Sequence, residues 1–224
     1  DVTGDDVWLD RAVRMTERVV DGFAREHGWR LPEHFTPGWE PMYDYHRDEP
    51  AHPFRPFDAT VGHWFEWARL TRQAREALRL RGREPGEWML DGARQLFDAG
   101  VRDGWAVDGE PGFVYTVDFE GRPVVRQRMH WVVAEAIGAA AVLGRVTGDD
   151  EYERWYRTWW DYAAEHVIEA PGRWVHELDP QGRPAGGTWA GKPDVYHAVQ
   201  ATLLPRLPVA PSLAPSLAAG GLTT

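Results

Sequence analysis

The sequence contains no cysteine, which excludes disulfide bonds and thiolate metal sites. Basic residues are outnumbered, with 25 Lys and Arg against 35 Asp and Glu, and the net charge of −10 argues against nucleic acid or an anionic membrane as a partner. No stretch reaches the roughly 18 consecutive apolar residues of a membrane span. The first residues also lack the basic and apolar regions of a signal peptide, and we therefore expect a cytoplasmic protein.

Tryptophan, by contrast, is abundant, with 13 among 224 residues. A Trp-rich core would account for this number. So would a sugar site, because the apolar C–H faces of sugar rings stack on indole rings. Composition leaves both interpretations open.

The spacing of apolar residues predicts six helices, over about 5–26, 60–80, 85–102, 128–146, 149–168 and 194–205. We expect Thr3 to cap the first helix, and the fifth to begin at Asp149 and Asp150. Two β-hairpins are predicted over 112–125 and 173–186, around the turns EGRP and DPQG. Six prolines make 28–58 a long loop, and 209–224 is a low-complexity tail that we expect to pack only in part.

The second, fourth and sixth helices are more apolar than the others, and each follows a long loop or a hairpin. This alternation predicts an all-α toroid, in which these three helices form the inner layer and the first, third and fifth form the outer layer.

The second helix carries His63 and Glu66, which share one helix face because they are three residues apart. Gly62 would let another backbone or a ligand approach this face closely. The pair could be a core histidine with a structural carboxylate, or part of a paired Glu-x-x-His metal site, although no second copy of that pattern is present. His197 lies at the start of the sixth helix, where the helix dipole disfavours the imidazolium form.

Two histidines and a carboxylate, without a recognisable set of metal ligands, suit proton transfer at a carbon beside a carbonyl. Arg55 could stabilise the enolate-like oxygen of such a reaction. His130 opens the fourth helix beside Trp131, and it could contact a substrate or serve only in packing.

Three stretches occur in an order that carries a resemblance: HRDEPAHPFRPFDATVGHWFEWARL, RMHWVVAEA and WAGKPDVYHAVQ. They resemble the N-acylglucosamine 2-epimerase superfamily, and within it the branch of bacterial D-mannose and sulfoquinovose isomerases. The resemblance covers about residues 34–208. It implies an (α/α)6 barrel, of which residues 1–208 would be the C-terminal half.

The resemblance also implies the chemistry. His63 and His197 would be the acid/base pair, with Glu66 as their supporting carboxylate, and no metal or other cofactor is expected. Residues assigned to sugar binding are Arg55, His130, Trp131 and Trp189. The implied reaction is aldose–ketose isomerisation of D-mannose and D-fructose through a cis-enediol. A sugar 2-epimerase, an α-barrel glycoside hydrolase or lyase, and an inactive sugar-binding remnant remain as alternatives.

The family's barrel has twelve helices, whereas six are predicted here. We therefore expect that an N-terminal half is missing or that the chain is a homo-oligomer. Unpaired inner helices would expose an apolar patch comprising Trp64, Phe65, Trp67 and Trp131. The isolated chain is accordingly expected to be poorly soluble or oligomeric, with little activity.

Overall fold

The computed structural model describes residues 1–189 and 191–222. Its helices are α1 (Asp6–Thr16), α2 (Val61–Leu80), α3 (Trp88–Gly104), α4 (His130–Thr147), α5 (Asp150–Tyr162), α6 (Tyr196–Leu203) and α7 (Leu213–Ala218). Helices α1 and α5 continue as π-helical segments over Glu17–Ala24 and Ala163–Val167, and a 3-10 turn, Leu204–Arg206, follows α6. The six predicted helices are confirmed, and α7 is an addition inside the segment predicted as a tail.

Local hydrogen bonds explain where two of these helices begin. The side chain of Asp149 accepts a bond from Glu151 N, which confirms the predicted start of α5. For α1 the prediction was wrong, because Asp5 rather than Thr3 is the cap and accepts from Val7 N at 2.9 Å. Thr3 precedes this cap by two residues, and its hydroxyl accepts a hydrogen bond from Asp5 N.

In the described ranges, eight short strands join the helices: β1 (Ala59–Thr60), β2 (Thr116–Val117), β3 (Pro123–Val125), β4 (Arg128–Met129), β5 (Ile168–Ala170), β6 (Arg173–Trp174), β7 (Glu177–Leu178) and β8 (Pro184–Ala185). They pair antiparallel as β1-β2-β3, β4-β7-β8 and β5-β6. The hairpin predicted over 112–125 is therefore present as β2-β3. The one predicted over 173–186 is shorter than expected, since only β7-β8 flank its turn and β6 pairs with β5.

The helices form two layers. Helix α2 packs against α1, α3 and α4, and α4 packs in turn against α5 and α6. Thus α2, α4 and α6 lie side by side in one layer, with α1, α3 and α5 outside them. This is the predicted arrangement, and it amounts to three helical pairs, half of a ring of six.

The core lies between these layers and is aromatic. Phe65 of α2 meets Phe97 and Trp159 of the outer helices, with ring centroids 5.4 Å from each. Trp64 and Phe65 are fully buried and Trp131 is buried as well, so the predicted exposed patch on the inner helices is wrong for these three residues. Phe65 points outward against Phe97 of α3 and Trp159 of α5 rather than toward the axis of the ring.

Large apolar side chains are exposed instead at the two ends of the layer. One end is at α1 and the loop after it, with Trp8, Met15 and Trp39; the other is at the start of α6, with Val195, Tyr196 and Val199. In the described part of the chain, no helix is both long enough and apolar enough to span a membrane.

Candidate active site

The N-termini of the three inner helices meet at one end of the layer. His63 is the third residue of α2, His130 and Trp131 open α4, and His197 is the second residue of α6. The Trp131 indole lies between the two predicted acid/base histidines, with ring centroids 5.0 Å from His63 and 5.6 Å from His197. Helix packing has thus brought together residues that are 134 positions apart, 63 and 197, in the chain.

Gly62 makes this approach of Trp131 possible. A Cβ atom on Gly62 would lie 2.3 Å from an atom of the Trp131 ring, far inside van der Waals contact. The close approach expected at Gly62 is present, but the group that approaches is the indole of Trp131 rather than the expected backbone or ligand.

The hydrogen-bond partner of His63 is the carboxylate of Glu33, which the sequence analysis missed. Both carboxylate oxygens of Glu33 lie 3.0 Å from His63 Nδ1, and one of them also accepts a hydrogen bond from Thr60 N. Burial alone would lower the pKa of His63, but the charge and hydrogen bond of Glu33 outweigh it and raise this pKa to about 9. Burial alone would raise the pKa of Glu33, yet His63 and the Thr60 N–H bring it below its usual value. The pair is therefore ionised at neutral pH.

Glu66, predicted to support the acid/base pair, shares the helix face of His63 but does not make this hydrogen bond. Its carboxylate lies 3.9 Å from the Arg69 guanidinium and adds only a more distant negative charge to the surroundings of His63. The local i, i+3 spacing pointed to Glu66, whereas the partner in contact is Glu33 of the proline-rich loop. No local pattern signals that contact, because the loop must fold back over α2 to make it.

Asp194 is the carboxylate that hydrogen-bonds His197, as Glu33 does His63. Its carboxylate oxygens lie 3.1 and 3.2 Å from His197 Nδ1, and one of them also accepts from the backbone N–H of His197. Burial alone would raise the pKa of Asp194, but these bonds to His197 hold it below its usual range. Because Nδ1 faces the carboxylate, we assign the Nδ1–H tautomer to neutral His197, which leaves the lone pair on Nε2.

Beneath Trp131 lies a buried ion pair between α2 and α4. Arg69 Nε and Nη2 donate to one oxygen of Glu135 at 3.0 and 2.8 Å, and Gln200 donates to the other oxygen at 3.1 Å. His197 Nε2 lies 3.8 Å from that second oxygen. Glu135 thus links all three inner helices, and burial keeps its pKa raised despite the opposing charge of Arg69.

The residues predicted to bind sugar fall in different surroundings. Trp131 is central, and Trp189 stacks on His176 with centroids 5.5 Å apart. Arg55 is exposed in the long loop, where it donates to the Tyr45 hydroxyl at 3.1 Å; no hydrogen bond from it to either acid/base histidine is found among the described residues. His130 is fully buried and lies near Asp194.

The site is open on the side of α1. A groove with a volume of about 730 Å³ begins at His63 and Glu33 and runs along α1, and its walls include Trp8, Trp39 and Trp67. Indole rings and arginine side chains of α1 share this groove, so it combines stacking surfaces with hydrogen-bond donors.

Among the residues that the structure describes, two groups of side chains have the composition of metal ligands, which the sequence analysis did not recognise. One is His46, Glu49 and His52 in the long loop, and the other is His130, Asp194 and His197 at the site. Both groups assemble when the loops fold, and the expectation that the site needs no metal stays a prediction.

Comparison with known proteins identifies the family of this chain. A profile of the family described as N-acylglucosamine 2-epimerase (GlcNAc 2-epimerase) matches residues 1–201. The chain is 57% identical over 223 residues to a D-mannose isomerase of Thermobifida fusca and 52% identical over 219 residues to one of Pseudomonas cannabina pv. alisalensis. The alignments cover 99% and 97% of this chain but 54% and 53% of the relatives. The chain therefore spans about half the length of these curated relatives.

Solved structures of other proteins have a similar fold. A crystal structure of a D-mannose isomerase superposes with a TM-score of 0.77 at 28% identity, over 89% of this chain and 50% of that one. A cellobiose 2-epimerase from Bacillus thermoamylovorans gives a TM-score of 0.63 at 18% identity, over 88% and 46% of the two chains, which supports the fold alone. The all-α fold is thus confirmed as about half of an (α/α)6 barrel.

Proposed function

Since the chain belongs to the N-acylglucosamine 2-epimerase family, we propose that it carries the acid/base half of an aldose–ketose isomerase that interconverts D-mannose and D-fructose. The observation that carries the proposal is the pair of histidines on either side of Trp131, each held through Nδ1 by its own carboxylate. The choice of D-mannose as the substrate is based on the D-mannose isomerases among the relatives.

The two histidines are suited to opposite roles. His63, whose pKa is about 9, is an imidazolium at neutral pH and can donate a proton to the oxygen of the open-chain sugar. His197, with its lone pair on Nε2, is the base that removes the proton from C2. The electron pair left at C2 forms the C1–C2 double bond of a cis-enediol. His197 then returns its proton to C1, and the proton on O2 passes to the neutral His63, which completes the ketose and restores both histidines.

Further site residues belong to the same proposal. Trp131 provides an apolar surface for the sugar between the two histidines, and Glu66 adds negative charge that favours the imidazolium of His63. Residues proposed to contact sugar hydroxyls or ring faces are Arg55, His130 and Trp189. The groove along α1 would lead the monosaccharide to His63.

Activity is proposed to need six further helices that close the ring, because the apolar ends of the layer at α1 and α6 are exposed. They would come from a covalent N-terminal half or from a second copy of this chain. The cytoplasmic location stays a prediction from the sequence, which fractionation of the source cells would test.

The test is incubation with D-mannose and chromatographic detection of D-fructose. It would compare the chain alone with the chain joined to the N-terminal half of the Thermobifida fusca relative, with the double variant of His63→Asn and His197→Asn as control. Fructose from the joined protein, and none from the control, supports the proposal. D-Glucose as the product would instead indicate 2-epimerisation, and no product from a folded joined protein would refute both.

A further inference from the structure

His130 has an environment that packing does not explain. Its side chain is fully buried, yet neither Nδ1 nor Nε2 has a hydrogen-bond partner among the described residues. Leaving a buried polar group unpaired is energetically costly, and such a group in a folded protein commonly marks a place for a water molecule or an ion. An imidazole nitrogen with a free lone pair is a group that commonly ligates metals.

The nearest groups to His130 are also metal ligands. His130 Nε2 lies 3.4 Å from Asp194 Oδ2, and the same oxygen lies 3.2 Å from His197 Nδ1. One ligand atom from each of the three residues lies within 4.8 Å of the others. In a tetrahedral zinc site with bonds of about 2.0–2.1 Å, neighbouring ligand atoms are about 3.3 Å apart. Two of the separations thus already match those of an assembled site.

We propose that His130, Asp194 and His197 form a binding site for Zn²⁺, with Asp194 as the central ligand and a fourth position open to solvent. Two imidazole nitrogens and one carboxylate are a ligand set that zinc accepts and that Mg²⁺ disfavours. The half-exposed Asp194 provides the path of entry, since the other two ligands are more deeply buried.

Zinc in this position would disable His197, a consequence that rests on the proposed function. The ion would occupy the Nδ1 lone pair, so the ring proton of neutral His197 would have to move to Nε2. There it would face Glu135, whose nearer oxygen lies 3.8 Å away. Nε2 would then have no lone pair to accept a proton from the sugar, and zinc would act as an inhibitor rather than as a cofactor.

The second group of potential ligands differs in a way that provides a control. His52 Nδ1 accepts hydrogen bonds from the backbone N–H groups of Phe54 and Arg55, so in its neutral form the proton is on Nε2. Zinc would have to displace a ring proton here, as it would at His197, but the loop group contains no buried nitrogen without a partner like those of His130. We infer that the loop group of His46, Glu49 and His52 binds zinc more weakly.

Isothermal titration of the metal-stripped chain with ZnCl₂ at pH 7.5, with MgCl₂ in parallel, tests the site without any turnover. One equivalent of zinc should bind, Mg²⁺ should not compete, and the tryptophan fluorescence should change because Trp131 adjoins His197. His130→Asn and Asp194→Asn should each weaken binding at least about tenfold, whereas His52→Asn should leave it unchanged.

Circular dichroism would establish that each variant is folded, and Asp194→Asn decides the matter if the buried His130→Asn does not fold. Unchanged zinc affinity in a folded Asp194→Asn variant, or loss of binding in His52→Asn, would overturn the assignment. Inhibition of isomerisation by zinc, reversed by EDTA, is a separate readout. Its failure while binding persists would count against the inhibitory role of the ion but not against the site.

Discussion

Replacing Glu33 by Gln should return His63 to the charge state of an ordinary histidine. The glutamine has nearly the same shape and can still accept the hydrogen bond from Thr60 N, so mainly the negative charge is lost. With a pKa of about 9, His63 is about 97% imidazolium at pH 7.5, whereas at an ordinary pKa of about 6.5 this fraction is about a tenth. Burial of the ring favours the neutral form, so the variant should show this fraction or less.

The assay is an NMR titration of the histidine ring signals between pH 5 and 11, with the His63 resonance identified by its loss in His63→Gln. Glu66→Gln is the matched control, because it removes a negative charge on the same helix without touching the hydrogen bond. Glu66→Gln should lower the pKa of His63 much less than Glu33→Gln does. A pKa near 9 that survives Glu33→Gln, or an equal decrease in both variants, would refute the assignment of Glu33 as the partner.

The ion pair of His63 and Glu33 also makes the free energy of unfolding depend on pH. The pKa of His63 is raised by folding, so its contribution is fully present below about pH 6.5 and is lost as the pH rises through about 9. The pKa of Glu33 is lowered by folding, so its contribution is present above the ordinary carboxyl pKa and is lost on acidification. Urea denaturation across this range should show a decrease in the free energy of unfolding toward pH 9 in the wild type. The decrease should be much smaller in Glu33→Gln.

Three other substitutions test the packing and the chemistry. Glu135→Ala should lower the free energy of unfolding by about 3–5 kcal/mol, because it removes the buried carboxylate that accepts two hydrogen bonds from the buried Arg69 and leaves only Gln73 and the more distant Glu66 beside that charge. Urea denaturation showing a loss below about 1 kcal/mol would contradict this. Gly62→Ala should lower the free energy of unfolding by about 1–3 kcal/mol in the same assay, since its Cβ would overlap Trp131. An unchanged free energy of unfolding would mean that the indole is not fixed in that position. In a preparation that converts mannose, His197→Asn should lower kcat by about 10²–10⁴-fold with little change in sugar binding. Near-normal turnover would remove this histidine from the mechanism.

Local features of the sequence were sufficient for the helices and for part of the site. The cap at Asp149 and the apolar spacing within α4 involve residues only a few positions apart, so the preferences of a short segment already specify them. The same is true of Asp194 and His197, which meet because they are three residues apart at the start of a helix. The positions of His63 and His197 at the beginnings of inner helices could likewise be read from the chain.

Only the tertiary structure decided which groups meet across separate elements. Glu33 reaches His63 across 30 positions, and Glu135 reaches Arg69 across 66, because a loop folds over α2 and two helices pack side by side. Periodicity shows that a helix is apolar but not which neighbour each side faces, and for this reason the burial of Phe65 was misjudged. Ion pairs and metal ligands depend on atomic separations of about 2–4 Å, which packing creates between residues that carry no mark of one another in the sequence.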